Sequence, residues 1–97
     1  MHHQTIKQLQ KAYGYEELQN AINNGSAWTL EGSYGRSVSH ALDNGICMLP
    51  KEVKYGAYGN RIPSRDELKK GTKGTFQNCS KFWDKVENEE IFLNMEN

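Results

Sequence analysis

Two side chains that could cooperate in proton transfer, His40 and Asp43, stand three positions apart in the chain. On a helix this spacing places both on one face, where a carboxylate can orient an imidazole for general acid or base chemistry. No neighbouring nucleophile accompanies the histidine, and surface His–Asp pairs are far commoner than catalytic ones. We therefore expect no enzyme activity from this chain.

Two glycine-rich stretches, EGSYGRS at 31–37 and KKGTKGT at 69–75, each combine hydroxyl groups with a basic side chain just before a predicted helix. The first N–H groups of a helix are free donors with a positive partial charge, so such a stretch can hold a phosphate or a carboxylate. Neither stretch contains the GxxxxGKS or GxxxxGKT phosphate-loop pattern, and ordinary helix capping explains the same residues. The residues of this anion-site hypothesis are Ser33, Arg36, Thr72, Lys73 and Thr75.

The segment YGAYGNRIPSR, at 55–65, places tyrosines and arginines among glycines. Tyrosine and arginine dominate the energetic hot spots of protein interfaces, and aromatic rings beside cations can also stack on single-stranded bases. The alternative is that the tyrosines lie on the core and the arginines face solvent. The predicted partner-binding residues are Tyr55, Tyr58, Arg61, Arg65 and, in the basic stretch that follows, Lys69.

Metal ligation has little support in the sequence. Cys47 and Cys79 lie far apart, with no histidine or second cysteine at metal-ligand spacing. Their apolar surroundings, ICML and FQNCSKFW, instead predict two buried free thiols in a reducing compartment. His2 and His3 follow Met1 at a polar end, which is typical of a frayed terminus or a tag remnant. We predict no metal site and no cofactor.

Length and charge limit the classes of function. A chain of 97 residues forms one domain with a modest core, so any site is expected in a surface groove rather than a large internal cavity. The 12 basic and 12 acidic residues balance, which argues against non-specific attraction to nucleic acid or an anionic membrane. Residues 51–73 nevertheless hold seven basic and three acidic residues (+4), and residues 84–97 hold five acidic and one basic (−4). This asymmetry fits either electrostatic steering of a partner or two solvated faces of opposite sign.

The hydropathy pattern contains neither a signal peptide nor a membrane-spanning segment. We therefore expect a protein of the cytoplasm with no membrane partner. Residues 1–4 are expected to fray, and the acidic segment 87–97 to be mobile, at the two ends of a single domain 1–97.

Helical periodicity and its stop signals define the elements. They predict helices over 5–12, 15–24, from near 33–36 to 44, over 64–70, and from 75 through 86. The echo between AINNGSAW at 21–28 and ALDNGICM at 41–48 indicates two helices that end at Asn-Gly, because glycine adopts a positive φ without steric cost. The apolar residues after each glycine should fold back across the helix just completed. The two units are predicted to pack through Leu18, Ile22, Val38 and Leu42.

Two further helices, over 64–70 and from 75 through 86, are predicted in the last third of the chain. Ser64 and Glu67 have capping-box spacing, which predicts the helix over 64–70. Trp28 and Trp83 are predicted to anchor the core. The segment IFLNM, at 91–95, should form a final strand or pack over the core or, if exposed, form a homodimer surface. The last helix has the strongest periodicity, with an apolar face of Phe76, Cys79, Phe82, Trp83 and Val86.

Three stretches resemble, in their order and spacing, small uncharacterised proteins of tailed bacteriophages and prophages: WTLEGSYGR at 28–36, CMLP at 47–50 and YGNRIPSRDELKKGTKGT at 58–75. The resemblance spans about residues 28–76 and brings no residue role with it. It implies a place in the host bacterial cytoplasm. Since small phage proteins without catalytic groups often block a host enzyme or a defence complex, it also implies a host protein as partner.

The sequence thus predicts a mainly α, compact single domain of four or five short helices with irregular loops and room for one small β-strand pair. We expect a non-enzymatic protein that inhibits a host protein or host defence complex by steric occlusion, through the 55–65 loop and the basic helix after it. The alternative is a module that binds nucleic acid, a nucleotide or another phosphate-bearing ligand at the glycine-rich helix starts. Salt separates the two, because phosphate binding weakens steeply with ionic strength and an apolar interface does not.

Overall fold

A computed structural model describes residues 4–29, 35–91 and 93 of the chain. Its elements, in chain order, are α1 (Ile6–Ala12), α2 (Glu16–Asn24), a short 3-10 helix (Ser26–Trp28), α3 (Gly35–Asn44), β1 (Lys54–Tyr55), β2 (Arg61–Ile62) and α4 (Phe76–Glu87). The two strands pair antiparallel, with Lys54 opposite Ile62 and Tyr55 opposite Arg61. The domain is mainly α with a small two-stranded sheet, which confirms the predicted fold class.

The first helices begin and end at the capping residues that the sequence supplies. Thr5 and Gln8 form a capping box at the start of α1: Gln8 N donates to Thr5 Oγ1 over 3.1 Å, and Thr5 N donates to Gln8 Oε1 over 2.8 Å. Gly25, with a φ of 88°, ends α2, and Gly45, with a φ of 84°, follows α3. Both Asn-Gly pairs therefore act as helix stops, as predicted.

The chain after the two stops takes two different conformations. After Gly25 it forms the 3-10 helix, which buries Ala27 and half-buries Trp28. After Gly45 it forms neither helix nor strand, and all of residues 45–50, called the core segment below, are buried. The echo in the sequence is a shared stop signal and not a repeated structure.

Side chains from three helices hold the backbone of the core segment. Gln10 Nε2, from α1, and Trp83 Nε1, from α4, each donate to Ile46 O over 2.9 Å. Gln19, from α2, accepts from Met48 N and donates to Met48 O, each over 2.9 Å. Buried backbone groups need partners, and here side-chain amides and an indole take the place of a neighbouring strand.

The helix predicted over 64–70 is wrong, because these residues form turns. Glu67 N donates to the Ser64 carbonyl over 3.1 Å rather than to its hydroxyl, and of the capping box only the bond from Ser64 N to Glu67 Oε2 forms, at 3.4 Å. Arg65 N donates to Pro50 O over 2.9 Å, which ties the turn to the core segment. A helix this short is marginal by itself, so tertiary bonds decide the conformation. The described ranges hold four α-helices, the lower of the two numbers predicted.

The face of α4 that its periodicity marks as apolar is buried, with one exception. Cys79, Trp83 and Val86 are buried, and Phe82 is partly buried against them. The Phe82 and Trp83 rings meet edge to face with their centroids 5.1 Å apart. Phe76, at the start of the same predicted face, is 48% exposed. Trp83 anchors the core as predicted, while the first turn of α4 leaves an aromatic ring at the surface.

Both cysteine thiols are buried and free, as predicted. Burial, together with a smaller influence of the nearby Cys79, raises the pKa of Cys47 from 9.0 to about 12. Burial also raises the pKa of Cys79 to about 12, against the opposite influence of the Arg65 charge and of a bond to Trp83. Both groups therefore stay protonated in the folded protein at neutral pH.

The chain folds back after α4 over part of the segment that was expected to be mobile. Ile91 and Leu93 pack against the core, which agrees with the apolar alternative predicted for 91–95. Residues 92 and 94–97 lie outside the described ranges, as do residues 1–3 of the predicted frayed terminus. The homodimer surface stays a prediction.

Replacing Gly45 by alanine should destabilise the fold more than replacing Gly25. Both positions have a positive φ, which costs an alanine about 1 kcal/mol. A Cβ on Gly25 would meet only the Lys54 side chain, at 3.5 Å, whereas a Cβ on Gly45 would lie 3.0 Å from Phe82 Cβ and 3.1 Å from Asn78 O. We expect urea unfolding to show a loss of about 1 kcal/mol for Gly25→Ala and about 2–3 kcal/mol for Gly45→Ala. Equal losses would show that α4 does not press on Gly45.

Candidate functional site

The candidate site is the hairpin of residues 54–62, which joins β1 to β2 and is called the tyrosine hairpin below. Gly56 N donates to Asn60 O over 2.8 Å and closes the loop. Ala57 N donates to Trp28 O over 3.0 Å, which attaches the hairpin to the 3-10 helix. Backbone bonds of this kind restrict the positions that the loop can take.

Two tyrosine rings project from the tyrosine hairpin into solvent. Tyr55, on β1, is 66% exposed, and Tyr58, in the loop, is 86% exposed. The alternative in which these tyrosines lie on the core is therefore wrong, and Ile62 of β2 is the buried side chain that the hairpin contributes. Exposed aromatic side chains on an ordered loop are typical of protein-binding surfaces.

Arg61 is positioned beside the tyrosines by an ion pair with Glu67. Its Nη2 donates to Glu67 Oε2 over 3.0 Å, and its Nη1 lies 2.8 Å from Glu67 Oε1. The hydrogen bond from Arg61 lowers the pKa of Glu67, and the bond to Glu67 raises the pKa of Arg61. An exposed pair adds little to stability, but two parallel bonds fix the direction of the guanidinium. Since Arg61 is the strand partner of Tyr55, the cation and the ring belong to one surface.

Arg65 points into the body of the domain. Its Nε donates to Leu49 O over 2.7 Å, and its Nη2 donates to Asn23 Oδ1 over 2.8 Å. Asn23 Oδ1 also accepts from Gln19 Nε2 over 3.2 Å, so Arg65 joins the bonds that hold the core segment. Burial lowers the pKa of this guanidinium. Arg65 thus has a structural role that was not predicted from the sequence. The other predicted partner-binding residues, Tyr55, Tyr58, Arg61 and Lys69, are exposed.

Lys69 is exposed on the turns between β2 and α4, together with Lys70 and Lys73. The three lysines account for much of the positive charge that the sequence places in residues 51–73. They form a basic stretch that follows the tyrosine hairpin in the chain.

The threonines of the anion-site hypothesis are engaged within the protein. Thr75 caps α4: its Oγ1 accepts from Asn78 N over 3.2 Å and donates to Thr72 O over 2.6 Å. Thr72 Oγ1 donates to Lys69 O over 2.6 Å. These bonds agree with the capping alternative, because the hydroxyl protons already have acceptors.

Within the described residues, the side chains of Lys73 and Arg36, which also belong to the anion-site hypothesis, form no hydrogen bond to these threonines. Lys73 Nζ lies 3.8 Å from Asp43 Oδ1, and Arg36 is exposed on α3. Ser33 lies outside the described residues. The anion-site hypothesis therefore stays a prediction.

His40 and Asp43 each contact another residue. The His40 ring nitrogen Nδ1 lies 3.3 Å from Asn44 Nδ2, and the Asp43 carboxylate lies beside Lys73. The geometry therefore offers no support for a His–Asp pair that orients a general base.

The hydrogen bond between the buried side chains of Gln10 and Gln19 was not predicted from the sequence. Gln10 and Gln19 are 2% and 6% exposed, and Gln10 Nε2 donates to Gln19 Oε1 over 2.9 Å. The signal was present, because Gln10 shares its helical face with Ile6 and Leu9 of the apolar stripe. A glutamine at such a position must find buried partners.

Two features are absent from residues 4–29, 35–91 and 93. In these ranges no three histidine, cysteine, aspartate or glutamate side chains are grouped to hold a metal ion. The same ranges contain no helix with the length and apolar character needed to cross a membrane.

Comparison of the chain with known proteins found no match. No protein-family model matches the chain, and no curated protein or solved structure matches it either. The resemblance of residues 28–76 to bacteriophage proteins therefore stays a prediction.

Proposed function

We propose that this chain is a non-enzymatic binding module whose tyrosine hairpin contacts a protein partner. The observation that carries the proposal is the 86% exposure of Tyr58 on a loop whose backbone is tied to the 3-10 helix. A loop that is already ordered loses little entropy on binding, and a tyrosine has only two side-chain torsions to fix. The ring can therefore bury apolar surface in a partner at low cost.

The chemistry around Tyr58 describes the partner's surface. Tyr55 offers a second exposed ring, and Arg61 offers a guanidinium held in place by Glu67. Such a surface fits a protein with an apolar pocket for the Tyr58 ring and a hydrogen-bond acceptor near Arg61. Lys69 extends the contact through the basic stretch.

The proposed effect of binding is inhibition by steric occlusion. The resemblance of residues 28–76 to bacteriophage proteins supports a host bacterial protein or defence complex as the target, met in the host cytoplasm. Occlusion needs no catalytic group, since a domain seated on a working surface excludes the natural partner from it.

A phosphate-bearing ligand or nucleic acid at the glycine-rich helix starts is the weaker candidate. The hydroxyls of Thr72 and Thr75 donate to backbone carbonyls, so neither is free to donate to a phosphate without losing that bond. The Tyr58 ring, in contrast, is 86% exposed and so is open to a partner in the free protein.

Replacing Tyr58 by alanine should weaken partner binding at least about tenfold while leaving stability unchanged, because the ring contacts solvent in the free protein. The measurement is affinity purification of the tagged protein from a nuclease-treated bacterial lysate, followed by titration of the recovered partner against each variant. Phe76→Ala is the matched control, since it removes another exposed aromatic ring from a different element. Unchanged binding by Tyr58→Ala, or recovery of nucleic acid alone, would remove the proposal.

A further inference from the structure

A pocket of about 230 Å³ lies between the end of α3 and one face of α4, and it shares no residue with the tyrosine hairpin. Four of its residues, at 78, 81, 82 and 85, follow the spacing of a single helical face. Among the described residues, the lining consists of Asn44, Asn78, Lys81, Phe82, Lys85 and Ile91. The pocket thus combines two ammonium groups and two carboxamides with an aromatic and an aliphatic wall.

Two backbone features build this pocket. The close approach of α4 to Gly45 brings the end of α3 against the helix face. After α4 the chain reverses at Glu89, which has a φ of 60°, and Glu90 N and Ile91 N both donate to Lys85 O, over 2.8 and 3.3 Å. A positive φ is costly for a residue other than glycine. The reversal that carries this cost places Ile91 at the rim of the pocket.

The two lysines bring positive charge to one place. Lys81 and Lys85 are one helical turn apart, where like charges repel. Within the described ranges neither ammonium lies within 4.0 Å of a carboxylate, and Asp84, between them in sequence, lines a different groove. A bound anion would relieve the repulsion and gain charge-assisted hydrogen bonds.

The wall beside the lysines is apolar and fixed. Phe82 is held by its edge-to-face contact with the buried Trp83, at 5.1 Å between centroids. Ile91 packs against the core. An apolar group placed against these two side chains would lose part of its contact with water.

We propose that this pocket binds a small anion that carries an aromatic or other compact apolar body. The carboxylate, phosphate or sulfate group lies between Lys81 and Lys85 and accepts from the Asn78 carboxamide, while the body of the ligand lies against Phe82 and Ile91. The volume of about 230 Å³ suits a ligand the size of benzoate or phenyl phosphate and excludes a dinucleotide.

The test is titration of the whole protein with phenyl phosphate, followed by the amide resonances of Asn44, Asn78 and Phe82 in two-dimensional NMR. We expect saturable shifts, with binding at least about tenfold weaker in Lys81→Gln/Lys85→Gln. Lys7→Gln/Lys11→Gln removes a lysine pair of the same spacing from the exposed face of α1 and should leave the dissociation constant unchanged. Phenol, which lacks the phosphate group, and inorganic phosphate, which lacks the aromatic ring, should each bind more weakly than phenyl phosphate.

The charge-preserving variant Lys81→Arg/Lys85→Arg should keep binding and shows that the helix face tolerates substitution. Equal affinity for phenol and phenyl phosphate, equal weakening in the two glutamine pairs, or no saturable shift would overturn the proposal. Tyr58→Ala should bind phenyl phosphate like the unchanged protein, so this site and the tyrosine hairpin can fail separately.

Discussion

Replacing Gln19 by alanine should lower the unfolding free energy by about 3–4 kcal/mol, out of the roughly 5–15 kcal/mol typical of small domains. The substitution removes both bonds to the backbone of Met48, whose N–H and carbonyl are then buried without those partners. It also removes one of the two acceptors of Gln10 Nε2, which keeps its bond to Ile46 O. Urea unfolding followed by tryptophan fluorescence measures the loss.

Two further variants separate the hydrogen bonds of Gln19 from its volume. Gln19→Met keeps a side chain of similar length without amide groups, so we expect a comparable loss. Gln77→Ala removes an exposed glutamine from α4 and should change stability by less than about 0.5 kcal/mol. A fully stable Gln19→Met would mean that Gln19 only fills space.

Raising the pH from about 8.5 to about 10.5 should remove about 4 kcal/mol of stability through the two buried thiols. Well below pH 9 the folded and unfolded chains both keep the thiol protons, so the thiols add no pH dependence there. Between pH 9 and about 12 the unfolded chain releases the protons of Cys47 and Cys79 while the folded chain retains them. Stability therefore falls as pH rises, by about 1.4 kcal/mol per pH unit for each thiol.

The measurement is urea unfolding at a series of pH values under reducing conditions. The control is Cys47→Ala/Cys79→Ala, which keeps every other titrating group of the chain. We expect the double variant to lose much less stability over the same pH interval, whatever its stability at pH 7. Parallel curves for the two proteins would contradict burial as the cause of the raised pKa values.

Local features of this fold could be predicted from the sequence, and long-range ones could not. The capping of α1 by Thr5 and the stops at Gly25 and Gly45 depend on residues within one helical turn, so their spacing predicts them. The bonds from Gln10 to Ile46 and from Gln19 to Met48 span 36 and 29 positions. No local pattern encodes such pairings, although polar residues within an apolar stripe indicate that some buried partner exists.

The helix predicted over 64–70 does not form because bonds to residues distant in the sequence outweigh the local capping signal. Ser64 and Glu67 have the spacing that favours a helix start, but the backbone of Arg65 bonds to Pro50 and its side chain bonds to Leu49. A capping box contributes about 1 kcal/mol, and several tertiary bonds outweigh it.

The candidate site could be predicted in position and not in detail. The mixture of tyrosine, arginine and glycine in 55–65 identifies the loop, and the exposure of Tyr55 and Tyr58 agrees with the interface hypothesis. Which arginine serves that surface depends on contacts outside the loop: Arg61 meets Glu67, whereas Arg65 reaches Asn23, 42 positions away. The composition of a loop alone cannot distinguish these two directions.

The way in which the core segment is held has a consequence for the order of folding. Its hydrogen bonds come from residues on both sides in the sequence, from Gln10 and Gln19 before it and from Arg65 and Trp83 after it. No pair of neighbouring elements can satisfy the segment by itself, so contacts distant in the chain must form nearly together. During synthesis on the ribosome, the core therefore cannot form until α4 has emerged. Until then α2 and α3, the helices that end at glycine, are only marginally stable, because α4 is not yet available to complete the packing.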